Sequence, residues 1–119
     1  MSENIVLEKS YKFALRIVRL YKYLCDEKRE YVMSREVLRT GTKLGEHVKL
    51  AQEAASKPDF AHDINTALKY ASATEFWLQL LHESLYLDDE QYHSINNDCE
   101  ELKRLLKSIG FKVDPRTRH

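Results

Sequence analysis

Apolar residues recur at alternating spacings of three and four along four segments of the chain, and this pattern constrains the fold most. Only three glycines and two prolines interrupt the 119 residues, so each segment can form one continuous helix. In the first segment, residues 5–26, the pattern runs through Leu7, Tyr11, Ala14, Val18, Tyr21 and Cys25. Similar apolar stripes predict helices over residues 34–55, 57–86 and 89–109, followed by a polar tail at residues 111–119.

Capping residues define where the predicted helices begin and end. Ser34 is the predicted N-cap of the second helix, because its hydroxyl can accept a hydrogen bond from a free amide of the first turn. Residues 56–59, Ser-Lys-Pro-Asp, combine an N-cap serine, an early proline and an acid three residues after the cap. Asp88 or Asp89 caps the fourth helix, and Gly110 is expected to end it, because glycine accepts the left-handed conformation.

The short connections determine how the four helices are arranged. Helices joined by only a few residues must lie antiparallel to their sequence neighbours. We therefore predict an all-α protein, with residues 1–119 forming one antiparallel up-down-up-down four-helix bundle. When the second and third helices are paired across the connection at residues 56–59, Gly41 lies opposite Thr74. Small residues at this interface let the two helices approach closely. Two structural ion pairs are expected beside this interface, Arg39 with Glu75 and Glu46 with Lys69.

Two helices carry more apolar residues than a single subunit core requires. The first helix has a second apolar series, at Phe13, Ile17, Leu20 and Leu24. The third helix has additional large residues beside its stripe, at Phe76, Trp77 and Leu80. Large apolar patches on soluble proteins usually mark protein interfaces, so these seven residues predict a homo-oligomer. Packing within one subunit is the alternative explanation.

The sequence contains no complete catalytic or metal-binding motif, and we predict neither an enzyme nor a cofactor. His62 and His93 each follow an acid in the first turn of a helix, but these two turns lie at opposite ends of the predicted bundle. Cys25 and Cys99 fall on apolar stripes, where burial keeps a thiol unreactive. Neither a signal peptide nor an apolar run of about 20 residues is present, which predicts a cytoplasmic protein without a membrane partner.

A helical ribonuclease of the HEPN type is the main enzymatic alternative. Such enzymes present an arginine and a histidine close together on one helix. The internal candidates here, Arg39 and His47, are eight residues apart, which is too long a spacing for that pair.

Positive charge is concentrated on one face of the first helix, although the net charge of the chain is zero. No acid occurs between residues 9 and 25. This basic stripe is a candidate nucleic-acid-binding surface for RNA or DNA phosphates, and an ordinary solvated helix face is the alternative. Its members are Lys9, Lys12, Arg16 and Arg19.

The second and third helices resemble a known family. The resemblance lies in residues 37–46 (VLRTGTKLGE), 53–56 (EAAS), 59–60 (DF) and 67–78 (ALKYASATEFWL). Together they are similar to the small four-helix proteins encoded within intervening sequences of bacterial 23S ribosomal RNA genes. Relatives of that family include the accessory protein of diversity-generating retroelements. The resemblance implies a barrel-shaped homopentamer without known enzymatic activity.

Two classes of function remain open from the sequence. The family resemblance implies contacts with nucleic acid or with a nucleic-acid enzyme, and the basic stripe fits a nucleic-acid-binding ring. The additional apolar surface instead fits an oligomeric scaffold that binds a protein.

Overall fold

The computed structural model describes the backbone of residues 2–113 and the side chains of residues 5–110. Within this part the chain forms four α-helices and no β-strand. The helices are α1 (Ser2–Asp26), α2 (Met33–Gln52), α3 (Lys57–Glu83) and α4 (Asp89–Val113). The all-α prediction is therefore confirmed. The second and third helices end a turn earlier than predicted, and residues 114–119 of the predicted tail lie outside the described residues.

Each helix packs against two others, in the order α1, α2, α3, α4 and back to α1. Contacting residues run in opposite chain directions across these interfaces. Thr40 meets Thr74 and His47 meets Asp63 between α2 and α3. Between α1 and α4, Lys9 meets Glu101 and Arg16 meets Asp98. These contacts are consistent with an up-down-up-down bundle. The body measures 45 × 25 × 22 Å, and α4 touches α1 over a smaller surface than it touches α3.

The α1 helix turns a different face to the core than the sequence predicted. Tyr11 of the predicted stripe is 65% exposed. The stripe that is buried lies one position earlier, which corresponds to a rotation of about 100°. The interface assignment of the second α1 series is therefore wrong, because these side chains form the core of the subunit. The buried residues of α1 are Val6, Ser10, Phe13, Ile17, Leu20 and Leu24.

The glycines of α2 mediate a close approach to α1, and not to α3 as predicted. A Cβ atom on Gly41 would lie 2.7 and 2.9 Å from the two γ-carbons of Ile17. A Cβ atom on Gly45 would lie 3.3 Å from the Ser10 carbonyl oxygen. Between α2 and α3 the structure has a buried hydroxyl contact, with Thr74 Oγ1 3.1 Å from Thr40 Oγ1.

Two of the predicted N-caps are confirmed. The Ser56 hydroxyl accepts a hydrogen bond from the Asp59 amide at 3.2 Å, which begins α3. The Asp88 carboxylate accepts one from the Gln91 amide at 2.7 Å, and the Gln91 side chain accepts one from the Asp88 amide at 2.9 Å. This reciprocal pair begins α4.

The second helix is capped by Glu30, and not by Ser34 as predicted. The Glu30 carboxylate accepts hydrogen bonds from the amides of Val32, Met33 and Ser34, at 3.2, 2.9 and 2.7 Å. A carboxylate suits this position because the first amides of a helix carry partial positive charge. The Ser34 hydroxyl is buried and lies 3.7 Å from the Cys25 sulfur.

Gly110 does not end the fourth helix, which continues to Val113. No glycine in the described part of the chain has a positive φ, so the expected left-handed stop is absent there. A Cβ atom on Gly110 would lie 3.3 Å from Asn65 Oδ1 and 3.6 Å from Ile64 Cγ2. Glycine at this position therefore serves a close approach of α4 to α3.

Neither predicted ion pair forms, because each acid has a nearer partner. The Arg39 guanidinium pairs with Glu36 on its own helix at 3.0 Å, and Lys43 pairs with Glu46 at 3.1 Å. The Glu75 carboxylate lies on the α4 side of α3 and binds Lys103 at 2.8 Å. Lys69 is exposed.

We expect Glu30→Ala to lower the free energy of unfolding by about 1 to 2 kcal/mol, the upper range for loss of an N-cap. The substitution leaves the amides of Val32, Met33 and Ser34 at the start of α2 without their acceptor. Urea unfolding followed by helical circular dichroism measures the change. Glu27→Ala, at an exposed site in the same connection, is the control. Equal stability of the two variants would contradict the capping role.

We expect Gly41→Ala to lower the free energy of unfolding by about 1 kcal/mol. Overpacking against Ile17 destabilises the fold by about 1–3 kcal/mol. The higher helix propensity of alanine offsets about 1 kcal/mol of that loss. In an Ile17→Ala background the same substitution should become stabilising, because the clashing γ-carbons are gone. Thermal unfolding of the four proteins measures both effects. An equal loss in both backgrounds would show that Ile17 is not the cause.

Candidate functional site

The outer face of α3 carries an exposed apolar surface, which we call the α3 ridge: Ala73, Phe76, Trp77 and Leu80. Phe76 is 57% exposed, and Leu80 is also exposed. Trp77 is half-buried, packs against the core and meets Phe76 edge to face, with ring centroids 5.0 Å apart. Three of the seven predicted interface residues thus lie at or near the surface, and their contact with another subunit remains a prediction.

A second apolar surface lies between α1 and α2, and we call it the α1–α2 groove. It has a volume of about 780 Å³ and is lined mainly by Leu7, Tyr11, Ala14 and Gly45. The groove is open because Ala14 and Gly45 have almost no side chain with which to fill it. The apolar spacing of the sequence instead predicts Leu7, Tyr11 and Ala14 in the core, so the groove is not evident from it. The small residues facing each other at one level are the sequence signal that could have revealed it.

The basic stripe lies on the α1–α4 face of the bundle, where acids of α4 meet it. All four cations line one cleft of about 380 Å³. Arg16 binds the Asp98 carboxylate at 2.7 Å, and its guanidinium also donates to the Ser94 hydroxyl at 3.0 Å. Lys9 lies 3.3 Å from Glu101. The structure therefore brings the four cations together but pairs two of them with α4.

The remaining two members of the stripe are more exposed. Lys12 lies 3.9 Å from Glu8, one turn away on the same helix, and Arg19 is exposed. Exposed ion pairs are weak and are screened by salt. The α4 acids could not be anticipated from α1 alone, because they lie at the other end of the sequence.

Two histidines bind carboxylates at the helix interfaces. His47 Nδ1 lies 3.2 Å from Asp63 Oδ1, and the ring stacks on Tyr70 with centroids 5.7 Å apart. His82 Nε2 lies 2.6 Å from Asp89 Oδ1, and this hydrogen bond lowers the pKa of the Asp89 carboxyl below its ordinary value.

These two pairs do not form part of a metal site. Across the described side chains, no group of three or more His, Cys, Asp or Glu residues is placed to hold a metal ion. His62 and His93 are exposed. Arg39 binds Glu36 and His47 binds Asp63, so the two candidate ribonuclease residues have separate partners.

The Cys99 thiol is buried, as the sequence predicted, and lies 3.4 Å from the Ala71 carbonyl oxygen. Burial raises the pKa of this thiol to about 12, so it stays protonated at neutral pH and is a poor nucleophile. Cys25 is half-buried. None of the helices in the described region is long and apolar enough to span a bilayer.

The chain matches a known protein family and is similar to a solved structure. A family model described as 23S rRNA-intervening sequence protein matches residues 2–108. A solved structure is similar throughout: a protein of unknown function from the S23 ribosomal protein family of Bacteroides thetaiotaomicron. It has 50% sequence identity and a TM-score of 0.90, and the match covers 92% of this chain and 97% of that one. No curated protein matches the chain.

Proposed function

Because the chain belongs to the family of 23S rRNA-intervening sequence proteins, we propose that it acts as a non-enzymatic, self-associating helical protein with a binding or scaffold role. The exposed Phe76 and Leu80 beside Trp77 carry this proposal. Five copies is the number that the family resemblance implies. A protein partner, such as a nucleic-acid enzyme, would then bind a surface repeated in each copy.

The energetics of the α3 ridge support association. Burying a side chain such as Phe or Leu contributes about 1.5–3 kcal/mol relative to leaving it exposed. Trp77 adds an aromatic of the type that dominates interface energies, and its packing against the core holds it in place. In an isolated subunit Phe76 and Leu80 would remain in water.

The surface charges favour a protein scaffold over a nucleic-acid-binding ring. A phosphate would have to compete with Asp98 for Arg16 and with Glu101 for Lys9. The net charge of zero gives no general attraction for a polyanion. Weak nucleic-acid binding through the cleft of four cations is the second candidate function.

We expect the wild-type protein to sediment as a multiple of its 14.1 kDa subunit at micromolar concentration. Phe76→Ser/Leu80→Ser should weaken association by at least about 30-fold, which corresponds to about 2 kcal/mol. The fold should survive, because both side chains are exposed. Tyr31→Ser, another exposed aromatic, is the matched control and should still assemble. A wild-type protein that sediments as a monomer would contradict the proposed self-association.

For the second candidate, we expect at most micromolar binding of single-stranded RNA at low salt and a steep loss as salt rises, because bound phosphates release counterions. Asp98→Asn/Glu101→Gln frees Arg16 and Lys9 and should strengthen this binding. Lys12→Glu/Arg16→Glu should abolish it. A fluorescence titration of labelled RNA at two salt concentrations measures all three proteins. Equal binding by all of them would show that the stripe has no role.

A further inference from the structure

We propose that the α3 ridge of one copy docks into the α1–α2 groove of a second copy, so that neighbouring copies join through two different surfaces. The inference rests on the proposed self-association and specifies its contact. It also assigns a role to the groove.

The two surfaces match in length and in shape. Ala73 to Leu80 and Leu7 to Ala14 each span seven helical steps, or about 10 Å. The ridge projects large side chains, whereas Ala14 and Gly45 project almost no side chain into the groove. A cleft of about 780 Å³ is within the range that encloses a ligand of several side chains.

Charged residues of both signs stand at the edges of these two surfaces, where they can pair across the contact. Glu8, Glu46 and Lys49 stand at the rim of the groove. The exposed Lys69 lies two turns before Phe76 on α3, and the exposed Glu83 lies two turns after it. Both acids of the groove already have partners on their own helices, Lys12 at 3.9 Å and Lys43 at 3.1 Å. Lys69 of the second copy would join these exposed pairs. Its main effect would be on the orientation of the two copies and on the rate at which they associate.

A second copy is the occupant that accounts for both surfaces together. A contact of ridge against ridge would bury Phe76 and Leu80 but leave the groove empty. The ridge lies on α3 alone, whereas the groove lies between α1 and α2, so one copy presents the two surfaces on different faces. Contacts between unlike surfaces are heterologous, and they leave one of each surface open on a pair of copies.

The test mixes two variants, each with one surface disabled. Phe76→Glu/Leu80→Glu disables the ridge and keeps the groove, whereas Tyr11→Glu/Ala14→Gln disables the groove and keeps the ridge. Each alone should sediment as a 14.1 kDa monomer with unchanged helical circular dichroism. The equimolar mixture should form a dimer and nothing larger, because only one intact ridge and one intact groove are available.

The outcomes separate the two proposals. If the groove variant assembles like the wild type, or if the mixture stays monomeric while the wild type assembles, ridge-to-groove docking is overturned and self-association stands. A monomeric wild type overturns both. A second measurement does not depend on the charged variants. A short bismaleimide should cross-link Phe76→Cys to Thr42→Cys in a mixture, well above the background from Cys25, and should not cross-link Phe76→Cys to itself. The reverse result overturns the docking.

Discussion

The contact between Gly41 of α2 and Ile17 of α1 determines how the rest of the bundle is arranged. With no Cβ on Gly41, the branched side chain of Ile17 packs directly against the α2 backbone. This contact turns the stripe that contains Phe13 and Leu24 toward the core. The neighbouring stripe, with Tyr11, is then left outside. The α1–α2 groove therefore follows from the same close approach that fills the core.

Local sequence signals predicted the fold, because helix periodicity and caps are properties of adjacent residues. Ser56 and Asp88 are examples, since each bonds amides within its own first turn. The face that α1 buries could not be predicted in the same way. Two apolar stripes lie one position apart, and the buried one includes Ser10, whose hydroxyl lies 3.0 Å from the Leu7 carbonyl oxygen. Packing against the two glycines of α2 distinguishes the two stripes, because Ile17 and Ser10 of the buried stripe approach Gly41 and Gly45.

The candidate site was predictable in part for the same reason. Phe76 and Leu80 could be assigned to the surface because α3 has one unambiguous buried stripe, which leaves them on the opposite side. The groove could not be predicted, because it depends on the orientation of α1. The partners of Arg16 and Glu75 were also unpredictable, since Asp98 and Lys103 come from α4, far along the chain. Ion pairs between residues far apart in the sequence can be predicted only when the fold is already known.

The cap of α2 has a consequence for the tolerance of the chain to insertions. The Glu30 amide donates to the Leu24 carbonyl oxygen at 2.9 Å, while its carboxylate binds the first amides of α2. One residue thus ties the end of α1 to the start of α2. Lengthening residues 27–32 would separate these two sets of bonds. In residues 53–56 the bonds stay local to each helix: the Glu53 amide donates to the Leu50 carbonyl oxygen at 3.0 Å, and Ser56 caps α3. New chain termini or an inserted tag therefore belong in that connection.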